Sequence, residues 1–281
     1  MASKSELEEA KKIFGDSLSN FVESLAGHVC TTDGQWAVKG FVDIDRNVFS
    51  ISSDTKVTSK ILEIQIFPEL IMFADKIGYE LVLTEHQNHY PDMSFVSKVD
   101  DQIKFAVDLK TTYRKPDKPF LCNDFTLGSH GAYFQDRTSH KNIRFPYGSY
   151  GGHFCLGLIY ERSETAIDET KKVKLDDLES IASVMRNMVF FVVEKWRLAS
   201  DRRGSGNTAN IGSIELIEDV VAGRGIFADL GEEWFDDYWM NYDKITINDG
   251  KGGTKTIRKL ADFIDYRGGD VSLINKRRTK A

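Results

Sequence analysis

Apolar positions along this chain alternate between two spacings, and the changeovers outline a chain of both helices and strands. Residues 5–14 and 17–26 carry apolar side chains at helical intervals and read as two short amphipathic helices. Val38–Ile44 and Val48–Ile51 alternate as strands across the turn Asp45-Arg46-Asn47. From Thr55 to Ile77 the apolar positions Val57, Ile61, Ile64, Ile71, Ala74 and Ile77 return to helical spacing. Pro68 has no N–H for the preceding turn and predicts a kink or a division there. Three strands follow: Tyr79–Thr84, Asp92–Lys98 and Ile103–Lys110. The last two enclose the polar turn Val99-Asp100-Asp101-Gln102 and should form an antiparallel hairpin. His153–Glu161 and Met188–Glu194 are nearly continuous apolar runs that read as buried strands, with a helix predicted over Leu175–Arg186. Residues 199–213 read as a polar, glycine-containing loop, and helices are predicted at 214–222 and 232–242. Strands followed by helices indicate an α/β or α+β domain.

Composition narrows the class. A chain of 281 residues can bury one sizeable core or two modest ones. It has no internal repeat and no low-complexity linker, and nothing approaches the length of a membrane helix. The charged opening, Met1 to Lys12, does not read as a secretory signal. Cys30, Cys122 and Cys155 have neither zinc-ligand spacing nor a disulfide pattern, and the histidines lack metal spacing too, so a reducing cytoplasm is expected. The net charge of −6 counts against nucleic-acid binding until its distribution is read. Basic stretches at Lys110–Lys118, Arg137–Arg144, Lys195–Arg203 and Lys276–Lys280 alternate with acidic ones at Glu6–Glu9, Glu161–Glu179 and Asp229–Asp237. A negative total is compatible with a positive groove.

The hairpin carries the strongest chemical signal. Asp108 and Lys110 are two apart on a strand, so both project from one face. A turn centred near residue 100 places Asp92 opposite Asp108, and two carboxylates then converge with an ammonium. Hard oxygen donors with open positions suit Mg²⁺, and a lysine there can orient or deprotonate an attacking water and offset phosphate charge. The plainer explanation is an edge strand with solvated charges. Against it, Ile103, Phe105, Val107 and Leu109 fill the opposite face of the strand. Glu63, on the preceding helix, is either a further carboxylate of the site or a solvated partner of Lys60.

Two loops offer groups that can touch DNA. Gln87-Asn88-His89-Tyr90-Pro91 leads directly into Asp92 and could reach backbone or base edges, or simply form a Pro-terminated turn. Gly204-Ser205-Gly206-Asn207-Thr208-Ala209-Asn210 follows Arg202 and Arg203 and lacks the ending of a phosphate-binding P-loop. Asn can bond adenine N6 and N7 together, and Thr can touch a thymine methyl. A flexible polar turn is the alternative.

In combination these segments resemble the EcoRV family of restriction endonucleases. The resemblance runs through Ser53-Asp54-Thr55-Lys56-Val57, Gln87-Asn88-His89-Tyr90-Pro91-Asp92 and Asp108-Leu109-Lys110-Thr111-Thr112-Tyr113. It continues through Phe125-Thr126-Leu127-Gly128, Gly204-Ser205-Gly206-Asn207-Thr208, Asn210-Ile211-Gly212-Ser213-Ile214, Gly223-Arg224-Gly225-Ile226-Phe227 and Asp237-Tyr238-Trp239. The strings keep the family's order over roughly residues 50–245. The segment before Ser53 is longer than the family's, and the chain after Met240 diverges.

The resemblance implies a single restriction-endonuclease domain over 1–281, with a mixed, partly antiparallel sheet flanked by helices and a U-shaped homodimer. Its parts would be a dimerisation region (about 1–55), a catalytic core (about 55–195) and a recognition loop with the C-terminal part (about 196–281). Asp92, Asp108 and Glu63 match the metal-binding acids and Lys110 the catalytic lysine. Gln87 and Asn88 match the minor-groove loop. Gly204, Ser205, Gly206, Asn207 and Thr208, with Arg203 beside them, match the major-groove loop. Thr111, Thr112 and Lys56 match positions close to DNA. The implied activity is Mg²⁺-dependent cleavage of double-stranded DNA at a palindrome, GATATC, cut bluntly at its centre to leave 5′-phosphates. A protecting methyltransferase is expected in the same host without being a physical partner. Two alternatives stand beside it: a repair or structure-selective nuclease with the same metal centre, and a catalytically silent DNA-binding regulator.

Overall fold

The structure, a computed structural model, describes residues 3–84, 86, 89–163, 168, 170–204, 209–248 and 252–275. Its first element is one helix, α1 (Lys4–Val29), rather than the two short ones expected. Ser3 and Glu6 close a reciprocal capping box at its start, satisfying N–H groups that have no partner within the helix. Phe14, Leu18, Val22, Leu25 and Val29 then form a single buried stripe. Gly15 does not break the helix. A Cβ there would stand 3.1 Å from the Phe154 ring, so the glycine lets α1 lie close against the sheet.

The expected strand over Val38–Ile44 contracts to β1 (Gly40–Val42), paired with β2 (Asn47–Ser50). The next helix, α2 (Thr55–Lys76), runs unbroken through Pro68 with Asp54 as its N-cap. Pro68 and Ile64, whose carbonyl loses its i+4 partner, both face solvent, where water can take the missing bond.

Strands β3 (Tyr79–Leu83), β4 (Met93–Ser97) and β5 (Lys104–Lys115) follow, then β6 (Lys118–Cys122) and β7 (Thr126–Ser129). After a one-turn helix, α3 (Ala132–Gln135), come β8 (Gly152–Arg162), β9 (Lys172–Lys174) and β10 (Met185–Glu194). The main sheet has the order β10-β8-β5-β4-β3, with β6 on the far part of β5. Only β5 and β8 run parallel among its pairs, which makes the sheet mixed as expected. The helix expected over Leu175–Arg186 is absent. Two 3-10 turns kinked at Asp177 span Leu175–Ser180, and the chain from Met185 onward is already β10. Pairing with β8 outweighs the local helical spacing there.

The segment 199–213 is not simply a loop. After the short α4 (Lys195–Leu198), β11 (Ala199–Arg203) and β12 (Asn210–Ser213) pair antiparallel, and β12 pairs on with β7. Helices α5 (Ile217–Ala222) and α6 (Glu232–Asn241) fall within the predicted spans. The ribbon β13 (Thr246–Asn248) with β14 (Thr254–Thr256) and the helix α7 (Leu260–Tyr266) are additional.

The main sheet separates two apolar cores. On one face Phe105, Val107, Phe154, Leu156 and Leu158 pack with α1 and α2. On the other face Ala106, Cys155 and Ile159 pack beneath an aromatic layer and the C-terminal helices. Residues 106, 108 and 110 share that second face by strand alternation.

Candidate active site

The hairpin register brings the chemistry together. Met93 pairs with Val107 and Ser94 with Ala106, so Asp92 lies directly beyond the last pair, opposite Asp108. The polar turn at 99–102 is what sets this register. β5 is no edge strand. It is bracketed by β4 and β8, and Asp108 is only 4% exposed. The solvated-edge explanation therefore fails.

Each charged group has a fixed partner. The Asp92 N–H donates to Asp108 Oδ1 at 3.3 Å, and the Leu109 N–H donates to Asp92 Oδ2 at 2.7 Å. Lys110 Nζ stands 2.6 Å from Asp108 Oδ2. Burial, and next the Asp108 charge, raise the Asp92 carboxyl to about 6, while Lys110 and the Leu109 amide pull it back. Burial pushes the Lys110 ammonium down, but Asp108 and Asp92 outweigh it and leave it above its ordinary value. One buried and one half-buried carboxylate that repel each other, faced by one lysine, form a hard-oxygen donor set whose repulsion a divalent cation would relieve. Among the described residues no third His, Cys, Asp or Glu completes a cage. Remaining ligands would have to be water and phosphate oxygens.

Glu63 stands near the pair without joining it. Its charge contributes to raising Asp92, yet its Oε1 is held by Lys60 Nζ at 2.6 Å.

The expected DNA-facing residues fall into three groups. Lys56 is exposed on the first turn of α2. The hydroxyls of Ser59 and Thr111 bond each other, and Thr112 is buried with its hydroxyl donating to Asn123 O at 2.6 Å. Arg203, at the end of β11, has its guanidinium on Asp243 at 2.9 Å and over the Tyr242 ring. Gly204 donates its N–H to Asn210 O at 2.9 Å, and a Cβ there would meet Thr126 Cγ2 at 2.9 Å. That glycine is needed for the strands' own close approach. Gln87, Asn88, Ser205, Gly206, Asn207 and Thr208 lie outside the described residues.

Two comparisons bear on this geometry. The family described as restriction endonuclease EcoRV matches residues 32–268. The type II restriction enzyme EcoRV of Escherichia coli is 35% identical over 211 residues, covering 75% of this chain and 84% of that protein. The chain belongs to the EcoRV restriction endonuclease family. It is a type II restriction endonuclease, an enzyme that hydrolyses DNA at specific sites. Among the described residues no helix is long and apolar enough to cross a membrane.

For an EcoRV-family enzyme the sequence reading omitted the layer behind the aspartates. Tyr90 lies two residues before Asp92, and its hydroxyl bonds His153 Nδ1 at 2.9 Å. Its ring stacks with those of Tyr133 and Tyr147 at centroid distances of 5.3 and 5.9 Å. The ammonium of Lys195 lies over the rings of Tyr90 and Tyr147. Nothing local announces this layer, because its members come from four separate segments. Lys195 had been read only as part of a basic stretch, and the structure buries it.

Proposed function

We propose that this enzyme cuts duplex DNA at GATATC, bluntly at the centre, as a Mg²⁺-dependent homodimer that leaves 5′-phosphate ends. The observation that carries the chemistry is the convergence of Asp92, Asp108 and Lys110 on one partly buried face. Asp92 and Asp108 would hold the cation, with Glu63 able to join if Lys60 releases it. When bound, the cation supplies charge to the phosphoryl oxygens and lowers the pKa of coordinated water. Lys110, ion-paired with Asp108 at 2.6 Å, would orient the attacking water and offset developing negative charge. The Leu109 amide and the Asp92 amide fix the two carboxylates, so little reorganisation remains at the moment of attack.

The site assignment rests on the Gly204–Thr208 string, whose described neighbours Gly204 and Asn210 are tied to each other and, through Asn210, to β7. Asn207 is the residue suited to adenine, and a central TA step, which unstacks easily, would add specificity without direct contact. The dimer reading is supported by the ribbon β1–β2. It leaves Phe41, Val42, Ile44 and Phe49 exposed at 54%, 55%, 98% and 44%, a cluster unusual on a monomer's surface. Two-fold symmetry would then match a palindrome. A methyltransferase protecting the same sequence is expected in the host.

Incubating the protein with plasmid and Mg²⁺, then sequencing the ends, tests all of this. Discrete bands with blunt GAT/ATC ends are expected. Other ends would overturn the assigned site, smearing would indicate a general nuclease, and a gel shift without cutting would indicate a binder.

A further inference from the structure

Lys195 is the first residue of α4, where β10 ends and the chain turns toward β11. It is 1% exposed, and its Nζ has no hydrogen-bond partner among the described residues. The ammonium instead faces aromatic rings: Tyr90 at 4.7 Å, Tyr147 at 5.2 Å and Phe134 at 5.6 Å to the centroids. A Cβ placed on Gly128 would come 3.7 Å from Nζ, so the glycine leaves room for the charged head. Burying an ammonium without an acceptor costs free energy that cation–π contacts only partly return. Burial, with Lys110 adding to it, outweighs the upward pull of Asp108 and Cys155 and leaves this lysine lowered to about 8. Glu194, the residue before Lys195, pairs with Phe154 of β8, and Asp108 of β5 pairs with Cys155 of the same strand, so Lys195 and Asp108 flank β8 at neighbouring positions.

The cage is continuous with the catalytic pair. Tyr90 precedes Pro91 and Asp92, and its backbone bonds Asn142 O and the Arg144 N–H at 3.0 and 2.9 Å. Its hydroxyl is held by His153. With Lys110 in contact with Asp108 and Lys195 behind it, two lysines balance the two aspartates. We propose that Lys195 is a positioning residue of the catalytic centre, a buried counter-charge behind Asp108 that holds the two carboxylates together without a cation and sets how tightly they bind one. The inference rests on the reading that Asp92 and Asp108 bind a divalent cation.

Like charges in a poorly screened interior repel over several ångströms, so Lys195 weakens cation binding even as it stabilises the empty pair. A neutral side chain of similar length should bind the cation roughly tenfold more tightly at neutral pH. The test is titration of the full chain with Mn²⁺, following the free ion by its paramagnetic signal, with no DNA and no cleavage involved. K195M and K195Q should each lower the half-saturating concentration about tenfold, and K195R should restore the wild-type value. An unchanged midpoint in a folded neutral variant overturns the proposal. So does loss of folding in both neutral variants while K195R folds, because Lys195 is then structural. If wild type takes up no Mn²⁺ that D108N loses, the metal reading itself fails, and this inference falls with it.

Discussion

The hairpin proposed to carry the chemistry and the described flanks of the segment proposed to read sequence are built differently. Asp108 sits within a central strand, paired on both sides, and its neighbours Asp92 and Lys110 are fixed by backbone amides and an ion pair. The string proposed to read bases lies in sequence between two short strands, β11 and β12, and among its described flanks Arg203, Gly204 and Asn210 are tied to the sheet. Hydrolysis of a phosphodiester is the same reaction at every site, so its groups gain from a rigid strand that permits no alternative placement. Reading bases requires side chains that reach into a groove, which favours a loop held firmly only at its ends. The two regions should therefore fail differently when altered.

The largest effect is expected at the rigid end. Asp108→Ala removes a buried carboxylate that orders both Lys110 and the Asp92 amide. Cleavage should fall on the order of 10³-fold or more, while the protein remains folded. Single-turnover rates beside a circular dichroism melt would check this. A variant cutting within tenfold of wild type would show that the hairpin is not the reaction centre.

Asn207→Ala should break the other side of the comparison, leaving chemistry intact but blurring the choice of sequence. One good base contact is worth roughly 1–3 kcal/mol of discrimination, and a symmetric dimer loses it twice. Cutting rates on cognate and scrambled duplexes, at two salt concentrations, separate this from a phosphate contact. If the preference survives while all binding weakens with a smaller salt slope, the residue is holding backbone.

How much of this was legible follows from the same contrast. The opposition of Asp92 and Asp108 could be read because strand alternation and a turn centred near residue 100 leave one register, and the pairing of Phe95 with Phe105 is that register. The apolar face of β5, Phe105 and Val107, was legible for the same reason. What escaped depends on partners distant in sequence. Met185 and Arg186 read as helix because their strand character comes from pairing with Arg162 and Glu161 on β8. Pro68 was expected to interrupt α2 because the solvent exposure of Ile64 is not visible in spacing alone. Gly204 was legible only as part of the string matched to the major-groove loop, whereas a Cβ there would press on Thr126 across the sheet. The cage of Tyr90, Phe134, Tyr147 and Lys195 exists only once four segments meet.

Gly204 sharpens the comparison, since it tests whether the loop's anchor and its reading function separate. Gly204→Ala should cost about 1–3 kcal/mol, because the added methyl meets Thr126 Cγ2 within a small paired sheet. Thr126→Ser removes that methyl and should recover part of the loss in the double variant. Denaturant midpoints of the four proteins measure the coupling. Strict additivity would place the strain elsewhere, against Ile211 O.

The smallest effect, on stability alone, returns to the catalytic hairpin. The Asp92 carboxyl is raised from its ordinary 3.8 to about 6, chiefly by burial and then by Asp108. An acid whose pKa is higher folded than unfolded favours the fold while it is protonated, and that contribution is lost as pH rises through the folded value. Metal-free protein should therefore lose stability from this group between about pH 4 and pH 6, and carry the full penalty at pH 8. Asp92→Asn keeps the shape and cannot ionise. In EDTA at pH 8 it should melt later than wild type, by a margin on the order of 1–3 kcal/mol, and the difference should shrink toward pH 4. Adding Ca²⁺ should narrow the gap from the other side, because wild type gains a ligand-bound state that the variant lacks. A variant less stable than wild type at pH 8 would mean that the Leu109 amide's bond to Asp92 outweighs the repulsion from Asp108, and that the pair is held together at no cost to the fold.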